Sequence, residues 1–181
     1  MSIVKRLSQK NQGFTLVELL VVVVIIGILA LIVLAKAPSM IDKTKEAKTK
    51  DALRDLKVQI KRYSAENSGI YPIAFDDITG RHAQNDPSLV LSAFIPHYMN
   101  KMPKTQLRGG IHKDSAEVAT ITITGDRSME LTDIADKGGW IYSQDTGEIR
   151  INCSCEDVDS THQKDENKKV YYYQYGYEAI E

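Results

Sequence analysis

The sequence predicts an α+β fold, in which a long N-terminal α-helix packs on a small antiparallel β-sheet. An almost unbroken apolar run at residues 19–35 is followed by a charged stretch, residues 39–68, that contains no Pro or Gly, and both patterns favour helix. Short segments with a period of two come later and favour strands. The predicted parts are a leader at residues 1–13, a transmembrane and assembly helix at 14–38, an amphipathic stalk helix at 39–68 and a β-rich globular head at 69–181.

The apolar helix is long enough to cross a membrane. From Phe14 to Ala35, Glu18 is the only ionisable side chain, and a helix of that length spans a hydrocarbon core of roughly 30 Å. The leader before it carries three positive residues, Lys5, Arg6 and Lys10. The positive-inside rule therefore predicts a single-pass precursor in the inner membrane, with the leader in the cytoplasm and the C-terminal part outside.

Two features of this segment are unlike an ordinary export signal. In a secretory signal peptide the apolar region is removed with the leader, whereas a cut between Gly13 and Phe14 would leave it on the mature chain. Glu18 also lies inside the apolar helix, where an acidic residue costs about 2.5–3.5 kcal/mol at the bilayer centre and less near the interface. We therefore expect Glu18 to have a partner.

The motif at this boundary is Gly13-Phe14-Thr15-Leu16-Val17-Glu18. With its flanks it resembles the class III signal of type IV pilins and of the pseudopilins of type II secretion. The resemblance implies cleavage between Gly13 and Phe14, N-methylation of Phe14, and pairing of the Phe14 amine with Glu18 of a neighbouring subunit, which sets the register of the filament.

The resemblance also implies partners and a location. The expected partners are copies of the chain in a helical filament, prepilin peptidase, the inner-membrane assembly platform, minor pilins and the lipid bilayer. The mature form is expected in an extracellular or periplasmic filament, and no cofactor is expected.

Gly27 and Pro38 are the two residues that weaken the long helix. Gly in a helix interior costs roughly 1 kcal/mol against Ala, and Pro removes a backbone hydrogen bond. The resemblance implies a Gly-to-Pro segment that loosens on assembly, although Pro38 comes later than the usual pilin proline. The alternative is that Pro38 only bends the helix where it leaves the membrane.

The stalk helix has one apolar stripe. Its members recur at 3–4–3 spacing and are Leu53, Leu56, Ile60 and Tyr63. We expect the sheet to cover this stripe and Gly69 to end the helix. Basic residues in the stalk are mixed with acids and lack interleaved aromatic residues, so a solvated face is favoured and no nucleic-acid partner is expected.

The head contains three predicted strands. Residues 118–124 alternate apolar residues with Thr, and residues 139–142 and 148–152 flank a loop of hairpin length. A short helix is predicted at residues 88–94. A final strand is predicted from four tyrosines that share one face at period two, Tyr171, Tyr173, Tyr175 and Tyr177.

The sequence of the head contains only weak signals for a metal-binding or catalytic site. The four histidines lack metal-ligand spacing and no catalytic motif is present, so we expect a non-enzymatic protein. Asp157 and Asp159 are weak calcium candidates, and a solvated charge run is the alternative. Cys153 and Cys155 could form a disulfide in an oxidising compartment, although their spacing is near the geometric limit; a metal site with His162 is a further option.

These observations predict a structural subunit of a type IV pilus-like filament. The alternative is a major pseudopilin of type II secretion, because Gly69-Ile70-Tyr71-Pro72 is similar to the stretch after the helix in that group. A more distant alternative is a DNA-uptake or adhesive module on the same scaffold.

Overall fold

The computed structural model describes residues 13–76, 78, 81–83, 86–109, 111–123, 127–160 and 169–176. The chain divides into two units, Met1–Pro38 and Ser39–Glu181. We call the second unit the body. The two units are described separately.

A single long helix supplies the first element of the fold. Helix α1 is Leu16–Glu66, with Gly27 and Pro38 inside it. Helix α1 ends at Glu66, two residues before the predicted end of the stalk helix at residue 68. The N–H group of Gly69 donates to the Ser64 carbonyl oxygen at 2.8 Å, and Gly69 has φ +86°, which a residue without Cβ adopts freely. The predicted role of Gly69 as the helix stop is confirmed.

The apolar stripe of α1 lies in the core of the body, as predicted. Its four residues, Leu53, Leu56, Ile60 and Tyr63, are each at most 2% exposed. They belong to one cluster with the sheet residues Trp140, Tyr142, Ile149 and Ile151. A 3.6-residue period therefore placed the buried face of this helix correctly.

Within the part of the chain that the structure describes, five short strands follow α1. They are β1 (Arg81–Ala83), β2 (Asp86–Leu91), β3 (Val118–Ile121), β4 (Trp140–Ser143) and β5 (Ile149–Ile151). Strands β1 and β2 form an antiparallel pair. The other three form a sheet in the order β3-β4-β5.

The predicted hairpin is confirmed as β4 and β5. Trp140 lies opposite Ile151 and Tyr142 opposite Ile149 in an antiparallel register. Because side chains alternate across a strand, these residues face the α1 stripe, whereas Ile141 contributes to a second small cluster with Ile123 and Met129.

The α+β fold is confirmed, but the sheet is mixed rather than wholly antiparallel. Strand β3 runs parallel to β4, with Val118 opposite Trp140. A parallel pair needs a long connection that returns the chain to the same end of the sheet. The connection after Ile121 is long and contains the 3₁₀ helix Leu131–Asp133, so it supplies this return.

The predicted helix at residues 88–94 is wrong. Residues 86–91 form β2, whose Leu91 and Val90 lie opposite Arg81 and His82 of β1. The backbone pairing of residues 86–91 with the neighbouring strand β1 outweighs their weak local preference for a helix.

The predicted final strand is also wrong within the described residues. Tyr171 forms one isolated bridge with Glu156, and the 3₁₀ helix Tyr172–Gln174 follows. Tyr172 and Tyr175, three residues apart, are both buried; a strand would point them to opposite faces, whereas a 3₁₀ turn places them on one side. Tyr177 lies outside the described residues.

Candidate functional site

The start of α1 carries the residues that the sequence singled out. Gly13, Phe14 and Thr15 precede the helix. The N–H and Oγ1–H groups of Thr15 donate to Glu18 Oε2 at 2.8 and 2.9 Å. In return, the Glu18 N–H group donates to Thr15 Oγ1 at 3.2 Å. Thr15 and Glu18 therefore form a capping box.

The capping box gives Glu18 a partner within its own chain. The family resemblance implied a partner in a neighbouring subunit, whereas this partner is Thr15 of the same helix. A Thr followed three residues later by Glu, just before an apolar run, is the sequence signature of a capping box and could have identified it. The carboxylate also lies in the first turn of α1, where the helix dipole favours negative charge.

The helix that follows exposes its apolar side chains. Leu16–Leu34, 19 residues, is long and apolar enough to cross a membrane. Phe14 is 82% exposed and Leu16 80% exposed, and the large apolar side chains up to Leu34 are exposed as well. Among the residues that the structure describes, none buries these side chains in the way that the sheet buries Leu56.

The two glycines of the N-terminal unit have open surroundings. A Cβ atom built on Gly13 or on Gly27 would meet no atom within 4 Å. Pro38 lies inside α1 and is exposed. Both residues have helical backbone in this structure. Loosening of the helix between Gly27 and Pro38 on assembly therefore stays a prediction.

The two cysteines lie in a cluster that the sequence did not predict. Both are free thiols, and their pairing stays a prediction. The ligand atoms of four side chains lie within 4.8 Å of one another, and we call this group the thiol cluster: His112, Asp136, Cys153 and Cys155. His162, the histidine considered from the sequence, lies outside the described residues.

The weak calcium candidates are both engaged by protein donors. Asp157 Oδ1 accepts the Ser160 N–H group at 2.8 Å, and Asp157 Oδ2 accepts the Tyr175 hydroxyl at 3.3 Å. Asp159 pairs with Lys43 at 2.7 Å. Calcium binding at these two carboxylates stays a prediction.

A buried carboxyl joins the C-terminal segment to α1. Glu46 Oε1 accepts the Tyr172 hydroxyl at 2.5 Å and the Val158 N–H group at 2.7 Å. Burial raises the pKa of the Glu46 carboxyl, and these two donors act in the opposite direction. The contact holds residues near the end of the chain against the middle of α1.

One comparison with known proteins gives a match. The family model for the prokaryotic N-terminal methylation motif matches residues 8–34. No curated protein and no solved structure matches the chain. The match covers the capping box and the exposed apolar helix, and it ends before the body begins.

Proposed function

We propose that this protein is the structural subunit of a type IV pilus-like filament, processed by prepilin peptidase and assembled from the inner membrane. The premise is the class III signal of type IV pilins and pseudopilins, which the chain carries at residues 8–34 and which makes it a pilin-like or pseudopilin precursor. The observation that carries the proposal is the exposed apolar helix Leu16–Leu34 in a chain whose body has its own core.

An apolar helix of this kind needs cover from outside the chain. Burying one large aliphatic side chain stabilises a structure by about 1.5–3 kcal/mol, and the stretch up to Leu34 exposes many of them. Lipid supplies the cover in the precursor, and the same helices of other copies supply it in the filament. The body is then outside the cytoplasm and the leader inside, in accordance with the positive charges before Gly13.

The capping box supports a two-stage role for Glu18. In the membrane, the Thr15 hydroxyl and N–H groups satisfy the carboxylate of the same chain. After cleavage, the amine of Phe14 on a neighbouring copy provides the positive charge that Glu18 lacks in its own helix. The assembly platform and minor pilins act on this membrane form, and the proposed role of the chain is mechanical.

A major pseudopilin of type II secretion is the second candidate. It is favoured by the stretch Gly69-Ile70-Tyr71-Pro72, whose Pro72 carbonyl oxygen accepts the Tyr142 hydroxyl at 3.0 Å. The neighbouring genes distinguish the two candidates. A secretin with secretion components favours the pseudopilin, and a retraction motor with pilus components favours the pilus subunit.

Cleavage is tested at Gly13. Gly13→Leu is expected to leave only the longer precursor, because the peptidase needs a small residue before the cut. A Cβ atom at residue 13 meets no described atom within 4 Å, so loss of cleavage would not reflect a clash of that atom with the described part of the chain. Gly27→Ala is the matched control, also in open space, and is expected to be cleaved normally. Intact-mass analysis of filaments is expected to show a mature chain that begins at Phe14 with one added methyl group; any other start contradicts the proposal.

The charge of Glu18 is tested separately from its capping role. Glu18→Gln keeps a residue that can form a capping box but removes the charge, whereas Thr15→Val keeps the charge and removes the capping hydroxyl. We expect both variants to be inserted and cleaved. Co-expressed with the unaltered chain, Glu18→Gln should enter filaments at reduced occupancy, and Thr15→Val at nearly normal occupancy.

Mass spectrometry of sheared filaments measures the occupancy of each variant. Equal incorporation of Glu18→Gln and the unaltered chain would show that the charge does not govern assembly. Reduced incorporation of Thr15→Val alone would assign the role of this motif to the helix cap.

A further inference from the structure

We propose that the thiol cluster binds one zinc ion, which joins three separate segments of the body. Its four side chains are His112, Asp136, Cys153 and Cys155, and their ligand atoms all lie within 4.8 Å of one another. They come from the loop before β3, the connection between β3 and β4, and the segment after β5.

Three distances within the thiol cluster, those among His112, Asp136 and Cys155, are close to those of a tetrahedral zinc site. Zinc bonds of about 2.3 Å to sulfur and about 2.0–2.1 Å to nitrogen and oxygen place the ligand atoms roughly 3.4 to 3.8 Å apart. His112 Nε2 lies 3.4 Å from Asp136 Oδ1. Cys155 Sγ lies 3.8 Å from Asp136 Oδ1 and 4.0 Å from His112 Nε2. A contraction of less than about half an ångström would bring these three atoms to zinc-bonding geometry. Cys153 Sγ lies within 4.8 Å of each of them, so its approach requires about 1.3 Å at most.

The backbone around the thiol cluster holds the ligands in place. Asn152 is 1% exposed, and its Oδ1 atom accepts the N–H groups of Ala135 and Asp136 at 2.9 and 3.0 Å. This brings the Asp136 loop beside Cys153, the next residue along the chain. Gly138 allows the close approach of His112, because a Cβ at residue 138 would lie 2.9 Å from His112 Cβ.

Two ligand atoms also accept backbone hydrogen bonds. The N–H group of Cys155 donates to Cys153 Sγ at 3.3 Å, and the N–H group of Ser154 donates to Asp136 Oδ1 at 3.0 Å. Donors of this kind orient the ligands of a metal and stabilise their negative charge. The Cys-Ser-Cys segment therefore presents both thiols and also holds the carboxylate.

The donor set selects the metal. Two thiols, one imidazole and one carboxylate suit zinc, whereas calcium and magnesium need oxygen ligands. Four protein ligands fill a tetrahedral shell, so the site is structural and leaves no position for a substrate. Cys153 is fully buried, and the His112 side chain is 18% exposed, which leaves one side of the site open for metal entry.

The experiment uses the full chain in detergent, reduced and incubated with Zn²⁺, then dialysed. Elemental analysis and native mass spectrometry are expected to find one zinc per chain, and added zinc should raise the unfolding temperature. Replacement by Co²⁺ should give thiolate-to-metal absorption bands. His112→Ala and Cys155→Ser should lose the zinc. His97→Ala, at an exposed histidine outside the thiol cluster, is the matched control and should keep it.

Asp136→Asn tests the metal site even if the other variants do not fold. Asp136 has φ +55°, a conformation that Asn also adopts, and the amide oxygen can still accept the Ser154 N–H group. We expect this variant to fold and to bind zinc about tenfold or more weakly. The proposal is overturned if the reduced chain binds no zinc, if Asp136→Asn and Cys155→Ser bind it undiminished, or if protein taken from its native membrane contains Cys153 and Cys155 as a disulfide.

Discussion

Leu56→Ala tests whether the stripe of α1 is the core of a body that folds alone. Leu56 is fully buried, in the same cluster as Trp140 and Ile149. The fragment 39–181 is expected to be soluble and monomeric, because its stripe is covered by its own sheet and it lacks the exposed apolar helix.

The cost of the substitution follows from the burial of Leu56. Three carbon groups are removed, at about 0.8 kcal/mol each, which gives about 2.4 kcal/mol. A residual cavity adds to this loss, so we expect a decrease of about 3–4 kcal/mol in the free energy of unfolding. For a body of about 140 residues, such a loss lowers the unfolding temperature by roughly 10 °C.

The matched control lies two residues away on the same helix. Val58 is 56% exposed, and Ala has a better helix propensity than Val, so Val58→Ala is expected to change the stability by less than about 0.5 kcal/mol. Urea and thermal unfolding of the fragment 39–181 measure both variants. Equal effects of Leu56→Ala and Val58→Ala, or a fragment that is unfolded without any substitution, would refute the assignment of this face to the core.

Two further predictions concern charges in the body. Glu148 and Arg150 form a buried ion pair at 2.6 Å. Glu148→Gln should destabilise the body by about 3 kcal/mol in urea unfolding, because it removes the carboxylate charge that pairs with the buried Arg150 guanidinium. Arg54→Gln, which breaks an exposed pair, should cost less than about 0.5 kcal/mol, and similar values for the two variants would contradict the burial argument. Hydrogen bonding to Arg127 lowers the pKa of Asp133 from 3.8 to about 2, so this carboxylate stabilises the folded state above about pH 4 and loses its contribution as the pH falls through about 2. The difference in stability between the unaltered chain and Asp133→Asn should therefore be about 1 kcal/mol or less at neutral pH and should vanish between about pH 4 and pH 2; a difference that is constant with pH would refute the ion pair.

Local patterns were sufficient for α1 and for the β4–β5 hairpin. The stripe from Leu53 to Tyr63 depends only on the helical period, and the hairpin depends on alternation and a loop of suitable length. The class III signal was also readable, because its residues are contiguous. The capping role of Thr15 was also encoded locally, by a Thr three residues before a Glu at the start of an apolar run, but it was not predicted.

Non-local contacts could not be predicted in the same way. The parallel pairing of β3 with β4 depends on the path of the connection after Ile121, which has no simple period. The thiol cluster depends on that same path, because it brings Asp136 back beside Cys153 and His112. The C-terminal tyrosines alternate in the sequence, but packing of Tyr172 against α1 outweighs their preference for a strand.

The contact between Tyr172 and Glu46 also limits when the core of the body can be completed. These residues are 126 positions apart, and Tyr172 and Tyr175 complete the cluster that surrounds the α1 stripe. The ribosome makes α1 well before Tyr172 and Tyr175, so this part of the cover of the stripe is missing until residues 172–175 have been synthesised. Until then the body lacks part of its core, and a chain in that condition is easier to keep unfolded, as passage through a narrow membrane channel requires.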